Sequence, residues 1–251
     1  MREAFTYMFK DNCYYKKALV FLILTFVESA CIAFAQMNSC AGMCPFSAGE
    51  GVFTPNKTNA LVFQLIGLIF NFLVVGYFNT CVEAITKQVN NIVLPFFNIV
   101  TCFLKGLKYF VAILIPIVLY AFIIGFIQVF SPLAGNIILG ILLFLYLVLG
   151  IGFIWLFANE KSFFAFLCYR KVIKKVIKAP LNYFKYLLFI AIVCALTFAL
   201  KFAFEFIFAL FPMSPLVTML VSTLISAVIS AYLTFVLVYL TAKSIKADSV
   251  V

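Results

Sequence analysis

The stretch VCALTFALKFAFEFIFALF, Val193 to Phe211, is apolar at nearly every position, yet Lys201 and Glu205 interrupt it four residues apart. A membrane-spanning helix needs about 20 mostly apolar residues, and this run has that length in spite of its two charges. Ionisable groups are costly in hydrocarbon, so each asks for a partner or an exit. Whether the run is a span or the core helix of a soluble domain depends on the rest of the chain.

That chain has 251 residues, of which 67% are hydrophobic and 10% charged, with 33 Phe. Its mean hydropathy of +1.21 excludes an ordinary soluble domain. Six runs reach spanning length: Ala18 to Gln36, Ala60 to Val82, Tyr109 to Phe130, Ile137 to Phe157, Leu187 to Phe211 and Leu216 to Leu240. No water in the hydrocarbon satisfies backbone groups, so these runs must be helices. The expected fold is all-α, one membrane domain over residues 1–251 with six transmembrane helices.

The distribution of cations orients the spans. Sixteen of the 18 basic residues fall on segments that share one side, against Lys57 alone on the other and Lys201 within a span. Lysine and arginine accumulate on the cytoplasmic side, so both termini are expected inside, with Asn159 to Tyr186 inside and Met37 to Asn59 outside. A basic start, an apolar stretch and Ala33-Phe34-Ala35 also resemble a cleaved signal peptide. Glu28 interrupts the apolar region and the basic start is long, so the segment is read as a retained span.

A net charge of +10 raises the question of nucleic acid. The cations lie beside membrane spans rather than on a soluble basic domain, which points to anionic lipid instead. In FFAFLCYRKVIKKVIK, Phe163 to Lys178, the cations Lys171, Lys174, Lys175 and Lys178 recur at helical spacing beside Arg170. Phe166, Tyr169, Ile173, Val176 and Ile177 oppose them. Such a basic amphipathic helix lies in the headgroup plane, although a solvated face that only enforces topology, or a surface for a protein partner or second copy, has the same pattern. A second interfacial helix is expected to start at Pro95, with Phe96, Ile99, Val100, Phe103 and Leu107 on one face. The opening MREAFTYMFK has a similar pattern.

Three such entry segments, each before a pair of spans, suggest parallel repeats over residues 1–82, 83–158 and 159–251. AFTYMFKDNCYYKK, VGYFNTCVEAI and LPFFNIVTCFLKGLKYFVAILIPIVLY resemble a prokaryotic membrane family known as domain of unknown function number four thousand and thirteen. The motifs that carry the likeness are Phe9-Lys10-Asp11, Gly76-Tyr77, Leu94-Pro95 and Gly106-Leu107-Lys108. The family often has an acidic residue and tryptophan after Leu-Pro, where this chain has Phe96 and Phe97. The resemblance implies a multi-pass protein of the cytoplasmic membrane and no particular activity.

Catalytic chemistry has little to work with. The chain has no histidine, which excludes histidine triads and HExxH zinc sites. Gly150-Ile151-Gly152 lies in a span and lacks the third glycine of a phosphate loop. The eight acidic residues are scattered, so the expectation is a protein that is not an enzyme and holds no cofactor or metal. Cys40 and Cys44, in NSCAGMCPF, face outside, where oxidation would join them; unpaired, they make half a zinc site at most.

The membrane-embedded polar residues fall into two sets. Thr218, Ser222, Ser226, Ser230 and Thr234 form a stripe of small hydroxyls suited to close helix packing, or to a wet path. Glu28 is the eleventh residue of a 19-residue run, far from either end. At about 1.5 Å per residue, Lys201 lies roughly 21 Å into its run and Glu205 about 6 Å further. Thr197 and Lys201 share a face that could turn toward Glu28, and the expected meeting is Glu28 with Lys201 inside the bundle, Glu205 nearby. The alternative is a local Lys201 to Glu205 pair, with Glu28 held by backbone or hydroxyl groups.

Two functional expectations follow. The first is a non-enzymatic membrane protein that scaffolds or assists a membrane assembly and binds anionic lipid through its basic helices. The second is a transporter or channel for a small solute, using Glu28, Lys201 and Glu205.

Overall fold

The computed structural model describes residues 13–39, 57–87, 94–209 and 215–245. The opening amphipathic stretch and the Cys40 and Cys44 loop lie outside the described residues. The elements are α1 (Tyr14–Ser39), α2 (Lys57–Lys87), α3 (Ile99–Phe130), α4 (Pro132–Glu160), a 3-10 turn (Ala165–Leu167), α5 (Tyr169–Lys178), α6 (Pro180–Ala209) and α7 (Pro215–Ser244). All but α5 and the turn are long and apolar enough to cross a membrane. The chain is an all-helical, multi-pass membrane protein.

α1, α2 and α3 run antiparallel in sequence. Phe21 meets Tyr77 near one end and Phe34 meets Phe63 near the other. The α2 to α3 seam is closer than side chains allow: a Cβ on Gly76 would stand 1.7 Å from the Cys102 carbonyl oxygen, and one on Gly106 1.9 Å from that of Phe72. Two glycines face to face let the backbones touch, and dispersion between them takes over from a hydrophobic drive that lipid cannot supply. Ser131 alone separates α3 from α4, capping the second helix through Ala134 N–H while Pro132 fills its first position.

The helix expected at Pro95 does not exist as a separate piece. Asn98 Oδ1 accepts from the Thr101 N–H at 3.1 Å, so the cap sits three residues later. From there α3 continues through Pro116 to Phe130 without a break. Leu94 to Phe97 are instead a docked connection: Lys17 Nζ donates to the Leu94 carbonyl and lies 4.4 Å from the Phe96 ring centre. Tyr77 Oη donates to the Pro95 carbonyl at 3.1 Å. Asparagine beats proline as the start signal because its side chain satisfies a helix N–H that would otherwise be orphaned.

The core forms two clusters. One joins α1, α2 and α7 through Phe21, Tyr77, Val82, Ile85, Phe235 and Val236. The other joins α4 to the 3-10 turn, α5 and the start of α6 through Phe153, Leu156, Phe166, Val172 and Tyr183. α7 packs against α1, α2, α4 and α6. Its buried row is Met219, Thr223, Ala227 and Ala231; the expected stripe of Thr218, Ser222, Ser226, Ser230 and Thr234 lies beside that row, half-buried at every member.

Candidate functional site

α2, α3 and α4 bring lysines to one end of the bundle because α2 and α3 are antiparallel and α4 returns from the Ser131 turn at the opposite end. There Glu83, near the end of α2, holds three cations. Lys87 Nζ stands 2.7 Å, Lys105 Nζ 2.9 Å and Lys161 Nζ 3.1 Å from its carboxylate oxygens. The Glu83 side chain is 12% exposed and that of Lys105 20%, whereas Lys161 is 51% exposed. Charge-assisted bonds are the strong ones, and the Lys105 link ties α2 to α3 where both are shielded. Lys105 also donates to Thr80 Oγ1 at 3.1 Å. Lys161 takes the left-handed C-cap of α4, φ 54°, a place that usually favours glycine. That cap directs the chain back so that the lysine reaches Glu83.

Beside this cluster lies a cavity of about 460 Å³. Lys105, Lys108 and Lys161 ring it, Leu104, Leu107 and Phe157 form apolar walls, and Asn79 lines it. Asn79 is 2% exposed. Its Nδ2 donates to the Val75 carbonyl at 2.9 Å, but its Oδ1 has no hydrogen-bond partner among the described residues. A buried acceptor left without a donor costs about 1–3 kcal/mol. A second cavity, of about 440 Å³ between α3 and α4, is apolar apart from the hydroxyls of Tyr120 and Tyr146.

α5 and the turn before it dock on the same end. Phe166 is buried among the rings of Tyr109, Phe153 and Phe157, and Val172 is fully buried, its Cγ1 2.4 Å from where a Gly152 Cβ would be. Tyr120 Oη donates to Tyr169 Oη at 3.1 Å, and burial pushes the Tyr169 hydroxyl up to about 12. The docking edge is therefore Val172, absent from the expected apolar row, together with Phe166, Tyr169 and Val176 of that row, while Ile173 and Ile177 point outward at 40% and 69% exposure. The single helix expected over Phe163 to Lys178 is divided into the turn and α5. Among its cations, Lys171 bonds Glu160 at 2.6 Å, which holds its ammonium above the usual lysine range. Lys175 lies over the Trp155 ring at 4.6 Å. Arg170, Lys174 and Lys178 are exposed.

The intramembrane residues are arranged differently from the expectation. Glu28 Oε1 accepts from Asn71 Nδ2 at 2.6 Å, and no ion pair joins Glu28 to Lys201 among the described residues. The packing explains the correction: the principal neighbours of α1 are α2 and α7, and those of α6 are α7 and α5. Glu28 thus takes neither of the partners foreseen for it but a side-chain amide one helix away. Thr197 Oγ1 bonds back to the Val193 carbonyl at 2.7 Å. Lys201 is half-buried, without a bonded partner among the described residues, and the Glu205 side chain lies outside them. Among the described residues no three potential metal ligands cluster.

Sequence reasoning missed Glu83, Asn79 and Asn71. Only Glu83 left a trace, as an i,i+4 pair with Lys87; its other two cations come from different helices. Comparison with protein-family models, with curated proteins and with solved structures gave no match to this chain.

Proposed function

We propose that the protein is a non-enzymatic scaffold or assisting factor of the cytoplasmic membrane of a prokaryote, held at the inner face by anionic lipid; kinship with the family that its opening segments resemble belongs to the same proposal. The observation that carries the reading is the posture of α5. One edge, Val172, is anchored in the bundle, the neighbouring apolar residues Ile173 and Ile177 are uncovered, and Arg170, Lys174 and Lys178 stand exposed beside them. An uncovered apolar edge next to a basic face suits the boundary between acyl chains and headgroups. Each cation near an anionic surface contributes about 1 kcal/mol of attraction.

The transport reading drew on Glu28, Lys201 and Glu205; of these, Glu28 is bonded to Asn71, a helix-to-helix tie of the kind that packs spans together.

The test is lipid analysis of the full-length protein purified from its native membrane. The variant carrying Arg170→Gln, Lys174→Gln and Lys178→Gln is expected to retain several-fold less anionic phospholipid than the parent. Equal retention by the two proteins overturns the lipid role of α5, and an identified protein that copurifies stoichiometrically with the parent supports the scaffold role.

A further inference from the structure

We propose that the cavity between α2, α3 and α4 binds one anionic phospholipid whose headgroup carries a hydroxyl, the phosphatidylglycerol class. The inference rests on the reading that this end of the bundle meets an anionic leaflet, and gives it a discrete site away from α5.

Three properties of the cavity converge on that ligand. The first is charge. Lys87, Lys105 and Lys161 share the single Glu83 carboxylate, and Lys108 adds a further ammonium at the rim. The site is therefore positive even after Glu83 is counted. An ammonium has three donors. Lys105 uses two, on Thr80 and Glu83, and Lys108 is set against the Phe163 ring at 5.6 Å rather than against an oxygen. Donors remain on Lys105, Lys108 and Lys161 for one phosphate.

The second property is the wall. Leu104, Leu107 and Phe157 contribute apolar surface, and Leu104 is 54% exposed, so the site opens sideways toward the lipid. A water-soluble phosphate gains nothing from such a wall, whereas the glycerol backbone and first methylenes of a lipid cover it. Basic pockets between spans at the cytoplasmic side suit anionic headgroups for this reason.

The third property is Asn79. Its unpartnered Oδ1 accepts and cannot donate, so it calls for a donor on the ligand. Phosphate oxygens cannot answer it, and a glycerol hydroxyl can. Ethanolamine also donates, but its lipid carries no net charge to reward the lysines. Oδ1 is itself covered, so binding requires that the side chain over it shift.

The test uses the full-length protein stripped of lipid in detergent, then offered phosphatidylglycerol or phosphatidylethanol, each against phosphatidylcholine, with bound lipid counted by native mass spectrometry. The two anionic lipids carry the same phosphodiester charge and differ in the hydroxyls. The unaltered protein is expected to retain phosphatidylglycerol about tenfold over phosphatidylethanol, the ratio that follows from satisfying one buried acceptor. Asn79→Leu brings the two anionic lipids level while both stay above phosphatidylcholine. Lys108→Gln with Lys161→Gln lowers both toward phosphatidylcholine. Equal retention of the two lipids by the unaltered protein overturns the proposal and needs no variant to fold. Displacement of bound phosphatidylglycerol by glycerol 3-phosphate overturns the lipid as the source of the phosphate. The α5 triple-glutamine variant separates the two readings: if it keeps the tenfold headgroup preference while losing bulk anionic lipid, each site stands by itself.

Discussion

Gly76 and Gly106 show most directly what a single residue does in this molecule. Each points at the carbonyl of the facing helix, Cys102 for Gly76 and Phe72 for Gly106, at distances no side chain survives. Gly125 and Gly140 meet nothing within 4 Å. The expected consequence is a sharp contrast: Gly76→Leu forces α2 and α3 apart and lowers stability by about 3 kcal/mol or more, while Gly140→Leu is nearly neutral. Thermal unfolding of the purified variants checks it, and similar midpoints for the two would contradict the seam. Both glycines stand out in the sequence within short motifs, but nothing in one chain tells which helix a glycine faces. Glu28 was legible as an oddity for its charge; Asn71 was not, because an uncharged amide in an apolar run carries little signal until its partner 43 residues away is placed beside it.

At the scale of elements, the apolar runs gave the six long helices in the right order, and their ends were misjudged where capping decides. α3 starts at Asn98 and not at Pro95 because a side-chain cap outweighs a proline's preference for the first turn. α5 was recognisable from its basic spacing, and Tyr169 and Val176 of its apolar row dock, yet its most buried residue was not foreseen: Val172 lies between cations in YRKVIKK, and its burial depends on Gly152, a residue of α4. That contact carries a prediction. Gly152→Leu occupies the space of the Val172 side chain and dislodges α5, whereas Val172→Ala leaves it docked with a loss of about 1–3 kcal/mol. Limited proteolysis after Lys171, Lys174 and Lys178 reads the difference. Faster cleavage in Gly152→Leu than in Val172→Ala is expected; equal resistance would show that α5 is held by other contacts.

For the whole molecule, the arrangement concentrates charge at one end and leaves hydrocarbon along the sides. Lys17, Lys87, Lys105, Lys161 and Lys171 are tied into that end by Leu94, Glu83 and Glu160, and Lys57 begins α2 at the opposite end. This asymmetry was readable in the sequence because it depends on which segments carry lysine and not on who touches whom. The pocket was not readable, because its cations, walls and orphaned acceptor come from three helices whose faces meet only in the folded bundle. Both lipid proposals depend on the basic end lying at the inner leaflet. Lys57→Cys and Lys174→Cys, each introduced after replacement of the eight native cysteines, test this most directly when intact cells are treated with a membrane-impermeant thiol reagent. Labelling at position 57 from outside, with position 174 reacting only after permeabilisation, is the predicted result; labelling at position 174 in intact cells would contradict the account.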